Sequence, residues 1–179
     1  MGRILFLDAS FERPFIVHDG QLIELPSASS MAETVEKLGV FEVVAAGKGP
    51  GSYTGMRVAL SLASALSLAW GVPLVTLSAL YGFKYEGDED FQALLDARSG
   101  GVYLLEEGQP VKKSIEELIL KEVIVSPRVE PLKKRLTGCR FIEAMPDPLL
   151  LTQLVEEKIS RKDYSLEGQA ELLYLGRTL

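Results

Sequence analysis

The stretch Gly47-Lys48-Gly49-Pro50-Gly51-Ser52-Tyr53-Thr54-Gly55-Met56-Arg57 concentrates glycines, hydroxyls and two cations between an apolar strand pattern and an apolar helix pattern. A loop of this kind can turn several backbone N–H groups toward one point, which suits an anion or a closely approaching chain. It is not a P-loop, because no Gly-Lys-Ser/Thr opens the helix. It is not a dinucleotide fingerprint either, since Pro50 and Tyr53 break the spacing and no acid ends the next strand. Three readings fit these residues. One is a tight strand-to-helix connection with Arg57 on the surface. A second is an anion- or nucleotide-facing loop built from Gly49, Gly51, Ser52, Tyr53, Thr54, Gly55 and Arg57. The third is a loop that docks on a partner.

Two carboxylates, Asp8 and Asp96, each end an apolar run. Acids at strand ends can hold magnesium near phosphates, because hard oxygen ligands suit that ion. The plainer alternative has Asp8 capping the turn at Ser10 and Asp96 bonded to Arg98 or to backbone amides. Ser52 is a poor hydrolase nucleophile: it lies outside a G-x-S-x-G elbow, and His18 is the one histidine able to act as its base. His18 adjoins the hairpin signal Asp19-Gly20 and reads as a hairpin-edge residue. One cysteine, Cys139, and one histidine exclude an internal disulfide and a Cys/His zinc cluster.

The elements that position these groups follow from periodicity. Strands are expected at Arg3–Ser10, Pro14–His18 and Gln21–Leu25, in antiparallel succession, then at Phe41–Ala46 and Val72–Leu77. A short helix runs from Ser30 to Leu38, with Ser30 and Glu33 forming a capping box and Gly39 ending it. A longer helix spans Thr54 to Trp70, closed by Gly71. Its only charge is Arg57, so it must be buried within its own domain or by a partner. Ala59, Ala63 and Ser67 recur every fourth residue and make a flat strip for another helix. Leu62, Leu66 and Ala69 are expected toward the sheet. The partner face is therefore read as Met56, Ala59, Leu60, Ala63, Ser67 and Trp70. Ser78–Tyr85 is read as a short helix. A second unit opens with strands Phe91–Ala97 and Gly101–Glu106. A short helix follows at Ser114–Leu120, then strands Glu122–Ser126 and Arg140–Ala144. The last helix is capped by Asp147 and runs to Ser160.

A hairpin after the first strand, where a Rossmann fold has a helix, implies a mixed sheet. The order of three antiparallel strands, helix, strand, helix, strand is that of one lobe of an actin-like, ribonuclease-H-like (ASKHA) α/β fold. We read residues 1–90 as the first lobe and 91–179 as a reduced second lobe. The 179 residues carry 19 Lys plus Arg against 25 Asp plus Glu, a net charge of −6, which argues against a general nucleic-acid binder or a polybasic membrane anchor. Hydrophobic residues at 47% and charged residues at 25% describe a globular chain. Val58–Leu80 is interrupted at Gly71-Val72-Pro73 and reads as helix plus strand rather than a membrane span. The cytosol is the expected compartment.

Three motifs in order carry a resemblance to a known family. GKGPGSYTGMRVAL is similar to the glycine motif of the bacterial TsaB (YeaZ) family. Leu7-Asp8-Ala9-Ser10 is similar to its Ile-Asp-Thr-Ser, and Leu95-Asp96-Ala97-Arg98-Ser99-Gly100-Gly101-Val102-Tyr103 to its Ile-Asp-Ala-Arg segment. Ala170–Leu175 faintly resembles the family's Pro-x-Tyr-Leu ending. The resemblance implies an actin-like fold. It also implies a non-catalytic subunit that pairs with TsaD, a transferase with its own metal site, in making N6-threonylcarbamoyladenosine at position 37 of tRNA. On the same basis the first-lobe helices would contact TsaD, the TsaE ATPase could join the complex, and tRNA would be met only indirectly. No cofactor would be held by this chain alone, with ATP or ADP at the surface shared with TsaD. Ala9, Lys48, Tyr53 and Ala59 replace the family's usual Thr, Arg, Phe and Gly, and the helix before Phe41 is shorter than usual. Two other classes stay open: a magnesium-dependent actin-like ATPase or phosphotransferase using Asp8 and Asp96, and a self-associating structural protein using the Ala/Ser helix in a homodimer.

Overall fold

The computed structural model describes residues 2–98 and 100–171. The first three strands are β1 (Ile4–Asp8), β2 (Phe15–His18) and β3 (Gln21–Glu24). With β4 (Val43–Gly47) and β5 (Leu74–Leu77) they form one sheet in the order β3-β2-β1-β4-β5. β1 pairs antiparallel with β2, Asp8 opposite Phe15, and parallel with β4, Leu7 opposite Ala46. The mixed sheet expected from the opening hairpin is present.

β1 is buried on both faces, and its alternation separates two cores. Leu5 and Leu7 point to one side, where they meet Met31 and Val35 of α1 (Met31–Leu38) and Ala59, Leu60 and Ala63 of α2 (Tyr53–Trp70). Ile4 and Phe6 point to the other, where they meet Leu151 and Val155 of α4 (Pro148–Ser160). The last helix among the described residues thus covers the sheet made by the N-terminal strands. Among the described residues, no helix is long and apolar enough to cross a membrane.

The rest of the chain forms two small sheets. β6 (Phe91–Ala93), β10 (Val123–Ser126) and β11 (Arg140–Glu143) are parallel, with β10 central. β7 (Leu95–Asp96), β8 (Gly101–Glu106) and β9 (Gln109–Ser114) are antiparallel. The expected single strand Phe91–Ala97 is therefore divided between two sheets at Leu94. Leu94 fills the core of the second half while Leu95 joins the core shared with the first sheet. A four-residue helix α3 (Glu130–Lys133) and the strand β9 have no clear periodic signal in the sequence.

Other expectations shift locally. A 3-10 turn at Ala28–Ser30 runs straight into α1, which leaves Ser30 with helical dihedrals. Its hydroxyl donates to the Ser27 carbonyl (2.8 Å), and Glu33 pairs with Lys37 (2.7 Å), so the capping box does not form. The helices expected at Ser78–Tyr85 and Ser114–Leu120 are single 3-10 turns, Ala79–Gly82 and Ile115–Glu117. In the second of these, the Glu117 carboxylate accepts from the Ser114 amide and hydroxyl, each at 3.0 Å.

Candidate functional site

Local sequence explains how the glycine loop is held. Ser52 caps α2: its hydroxyl accepts from the Gly55 amide (3.3 Å) and its carbonyl from the Met56 amide (2.8 Å). The Ser52 amide donates to the Ser10 carbonyl at 2.7 Å. A Cβ at Gly51 would stand 2.3 Å from that same carbonyl oxygen, and one at Gly55 would stand 1.7 Å from the Ala9 carbonyl oxygen. Glycine is required there because the loop lies directly on the backbone after β1. Three of its amides are consumed inside the protein, so the loop closes a strand-to-helix connection rather than presenting those N–H groups to an anion. Arg57 is exposed, with its guanidinium 5.5 Å from the centre of the Tyr53 ring. Tyr53 and Thr54 are exposed beside it.

The two carboxylates differ in state. Asp8 is fully buried. Its Oδ1 accepts from the Ser10 amide at 2.6 Å, while Oδ2 and the Ser10 hydroxyl have no hydrogen-bond partner. Oδ2 is packed against Gly47, where a Cβ would come within 1.8 Å. Burial pushes the Asp8 carboxyl up to about 6, against the lowering effect of the hydrogen bond it accepts from the Ser10 amide. Asp96 is shared by the Arg98 amide (3.1 Å) and the Arg135 guanidinium (2.9 Å) on one oxygen. The plainer reading of both acids is the one their contacts follow. Enclosed on one side and neutralised on the other, the pair does not fit a magnesium ion. Among the described residues, no cluster of three His, Cys, Asp or Glu side chains is placed to hold a metal. Arg135 had no signal as a partner in the sequence, where it stands in a short basic run 39 residues from Asp96.

Between the halves lies a cleft of about 800 Å³, lined by Ser10, Gly51 and Ser52 on one side and by Asp96 and Arg98 on the other. Arg98 sits in the left-handed region with φ +56°. The cleft is bridged by ion pairs that no local pattern announces. Arg13 reaches the Pro127 carbonyl (2.5 Å), Glu24 (3.1 Å) and Glu143 (3.5 Å), and Arg128 pairs with Glu12. Below it the apolar core is continuous, with Phe11 against Phe83 and both near Leu95 and Val125. His18 is at the hairpin edge, as its neighbours imply, with Nδ1 3.3 Å from Asp19.

The expected partner face of α2 is turned the other way. Met56, Ala59, Leu60, Ala63 and Ser67 are buried against the protein's own sheet. Small residues face inward because the helix lies close over β1 and β4, and the Ser67 hydroxyl is satisfied by the Val72 carbonyl at 2.6 Å. Trp70 is half-buried, with its ring 6.1 Å from Phe41. The outward crest is Val58, Ser61, Ala65, Leu68 and Ala69. Its small residues, Ser61, Ala65 and Ala69, repeat the four-residue spacing two positions along the helix, so the spacing marks both faces equally.

This architecture has known counterparts. A solved structure from Pseudomonas aeruginosa, described as an uncharacterized protein with similarity to peptidase YeaZ, superposes with a TM-score of 0.76 at 21% identity. It covers 98% of this chain and 100% of that one, which establishes the fold. Among curated proteins, the tRNA threonylcarbamoyladenosine biosynthesis protein TsaB of Escherichia coli (strain K12) is 33% identical over 98 residues, covering 50% of this chain and 42% of that protein. TsaB of Bacillus subtilis (strain 168) is 29% identical over 122 residues, covering 65% and 52%. TsaB of Buchnera aphidicola is 28% identical over 117 residues, covering 60% and 52%. The chain spans about half the length of the curated relatives it matches. Residues 27–143 match the family TsaD, tRNA N6-adenosine threonylcarbamoyltransferase. With an actin-like sheet, the glycine loop and the Asp8 and Asp96 motifs in that family's order, the chain belongs to the TsaD family, among its TsaB (YeaZ) members.

Proposed function

We propose that this chain is a non-catalytic subunit that pairs with a TsaD-type transferase in forming N6-threonylcarbamoyladenosine on tRNA. The observation that carries this reading is the outward crest of α2. Eighteen residues of helix contain one charged side chain, Arg57, and the outward positions Val58, Ser61, Ala65, Leu68 and Ala69 are exposed and uncharged. Small residues spaced by four allow a second helix to approach closely. The names of the curated relatives support the pathway. The enclosed Asp8 and the Arg135-paired Asp96 support leaving the chemistry to the partner. On this reading any nucleotide would sit at the surface shared with the TsaD-type subunit, TsaE would join through that complex, and tRNA would be met through the partner.

The test uses the full chain, its cognate TsaD-type subunit and an unmodified tRNA. Ala65→Arg places a cation on the crest without touching the core. Pairing and tRNA modification are both expected to be lost, with the melting temperature unchanged. Modification at the wild-type rate by Ala65→Arg, or by the TsaD-type subunit alone, would refute the proposal. The same crest favours self-association when the chain is alone. In that case sedimentation shows a dimer for the wild-type chain and a monomer for Ala65→Arg.

A further inference from the structure

Eight large apolar side chains are exposed among the described residues, and five of them fall on two adjoining segments. Tyr53, Val58 and Leu68 belong to α2. Tyr164 and Leu166 belong to the stretch 163–171 that follows α4. This stretch is strapped across the helix. Ser165 exchanges two backbone hydrogen bonds with Leu74, of 2.8 and 2.9 Å, at the open edge of β5. Gly168 then passes so near α2 that a Cβ there would lie 2.8 Å from the Leu68 side chain and 3.2 Å from the Ser64 carbonyl oxygen. Its φ of +65° also favours glycine. Ala170 packs into the same cluster as Leu62 and Leu66.

The crest of α2 is too small to be a whole interface. A helix of this length is about 27 Å long and presents a strip about 10 Å wide, so it offers on the order of 300 Å² against the roughly 800 Å² per partner of a stable complex. The docking surface must continue onto a neighbour. It does not continue onto α1, whose exposed positions are Ala32, Glu33, Glu36 and Lys37 in a helix of eight residues. It can continue onto the strap, which meets Leu68, 59% exposed, at Gly168 and exposes Leu166 at 64% and Tyr164 at 37%.

We infer that the strap at 163–171 is the second half of the docking face and stands in for the surface that the short α1 cannot offer. Its occupant is the TsaD-type subunit, through a helix that sets small and apolar residues against the crest of α2. The inference rests on the pairing proposed above. The crest positions Val58, Ser61, Ala65, Leu68 and Ala69 give a charged side chain of the partner nothing to pair with, which is why small and apolar residues are named against them, while the exposed Asp163, Glu167 and Glu171 of the strap form an acidic rim.

Three full-length variants are titrated against the cognate TsaD-type subunit by calorimetry. Leu166→Asp alters only an exposed side chain and is expected to weaken pairing at least tenfold with no change in melting temperature. Ser165→Pro removes the N–H that bonds to the Leu74 carbonyl, unseats the strap and weakens pairing similarly. Ala65→Arg abolishes pairing. If Ala65→Arg abolishes pairing while Leu166→Asp and Ser165→Pro bind as wild type, the strap is not part of the surface and the inference is overturned, with the pairing left standing. If Ala65→Arg binds as wild type, the pairing through α2 fails and the inference with it. If the strap variants lose only self-association in sedimentation, the occupant is a second copy and the partner named here is wrong.

Discussion

Asp8 is the one ionisable acid or base fully buried among the described residues. In the folded chain its carboxyl titrates at about 6, against 3.8 when exposed, because burial disfavours the charge. The native state therefore holds the proton more tightly than the unfolded state. Stability is greatest below pH 4, falls as pH rises toward 6, and is flat above that as far as this group is concerned, with a total loss of about 3 kcal/mol. Asp8→Asn keeps an acceptor for the Ser10 amide without a charge. It is expected to raise stability at pH 7.5 by up to about 3 kcal/mol and to remove most of the decline between pH 4 and 6. Urea melts across that range check it, and parallel profiles for the two proteins would contradict it. At this scale the sequence was informative about identity and silent about state. Asp8 and Asp96 stand out as strand-end acids, but the Oδ2 enclosed by Gly47 and the Arg135 that neutralises Asp96 come from residues 39 positions away in each case.

Among the elements, α2 has the strongest local instructions. Ser52 caps it, and Gly71 ends it in the left-handed conformation with its amide on the Leu68 and Ser67 carbonyls. Ser52→Ala is expected to cost about 1 kcal/mol, read as a shift in the denaturation midpoint with an unchanged slope. The helix also separates two alanines of nearly equal prominence in the sequence. Ala63 is completely buried against the sheet and Ala65 is exposed. Ala63→Arg should therefore leave the chain unfolded or insoluble, as judged by circular dichroism, while Ala65→Arg keeps the wild-type spectrum. A folded Ala63→Arg protein would show that the face assignment is wrong. The existence and limits of this helix were legible from its caps and its apolar run. Its rotation was not, because alanine and serine recur at fourfold spacing on both faces, and only the sheet beneath decides which set is covered.

For the molecule as a whole, α4 and the core beneath the cleft bind the halves together. Leu151 and Val155 of α4 lie among side chains of the first sheet, and the same core takes in Leu95, Val123 and Val125 from the second half. Leu151→Ala is expected to destabilise the protein by about 2–5 kcal/mol. One cooperative transition should be seen by both fluorescence and circular dichroism. Two separated transitions would mean that the halves unfold independently. The sequence by itself determined the strand and helix order from β1 to β5, the mixed first sheet, the family motifs and the absence of a histidine or cysteine cluster. These depend on neighbours within a few residues or on composition. Only the tertiary structure decided which face of α2 is open, that the strap lies across it, and that Arg135, Arg13 and Arg128 hold acids around the cleft. Those contacts join segments that are far apart along the chain, and packing between layers, not local periodicity, sets which side chains meet.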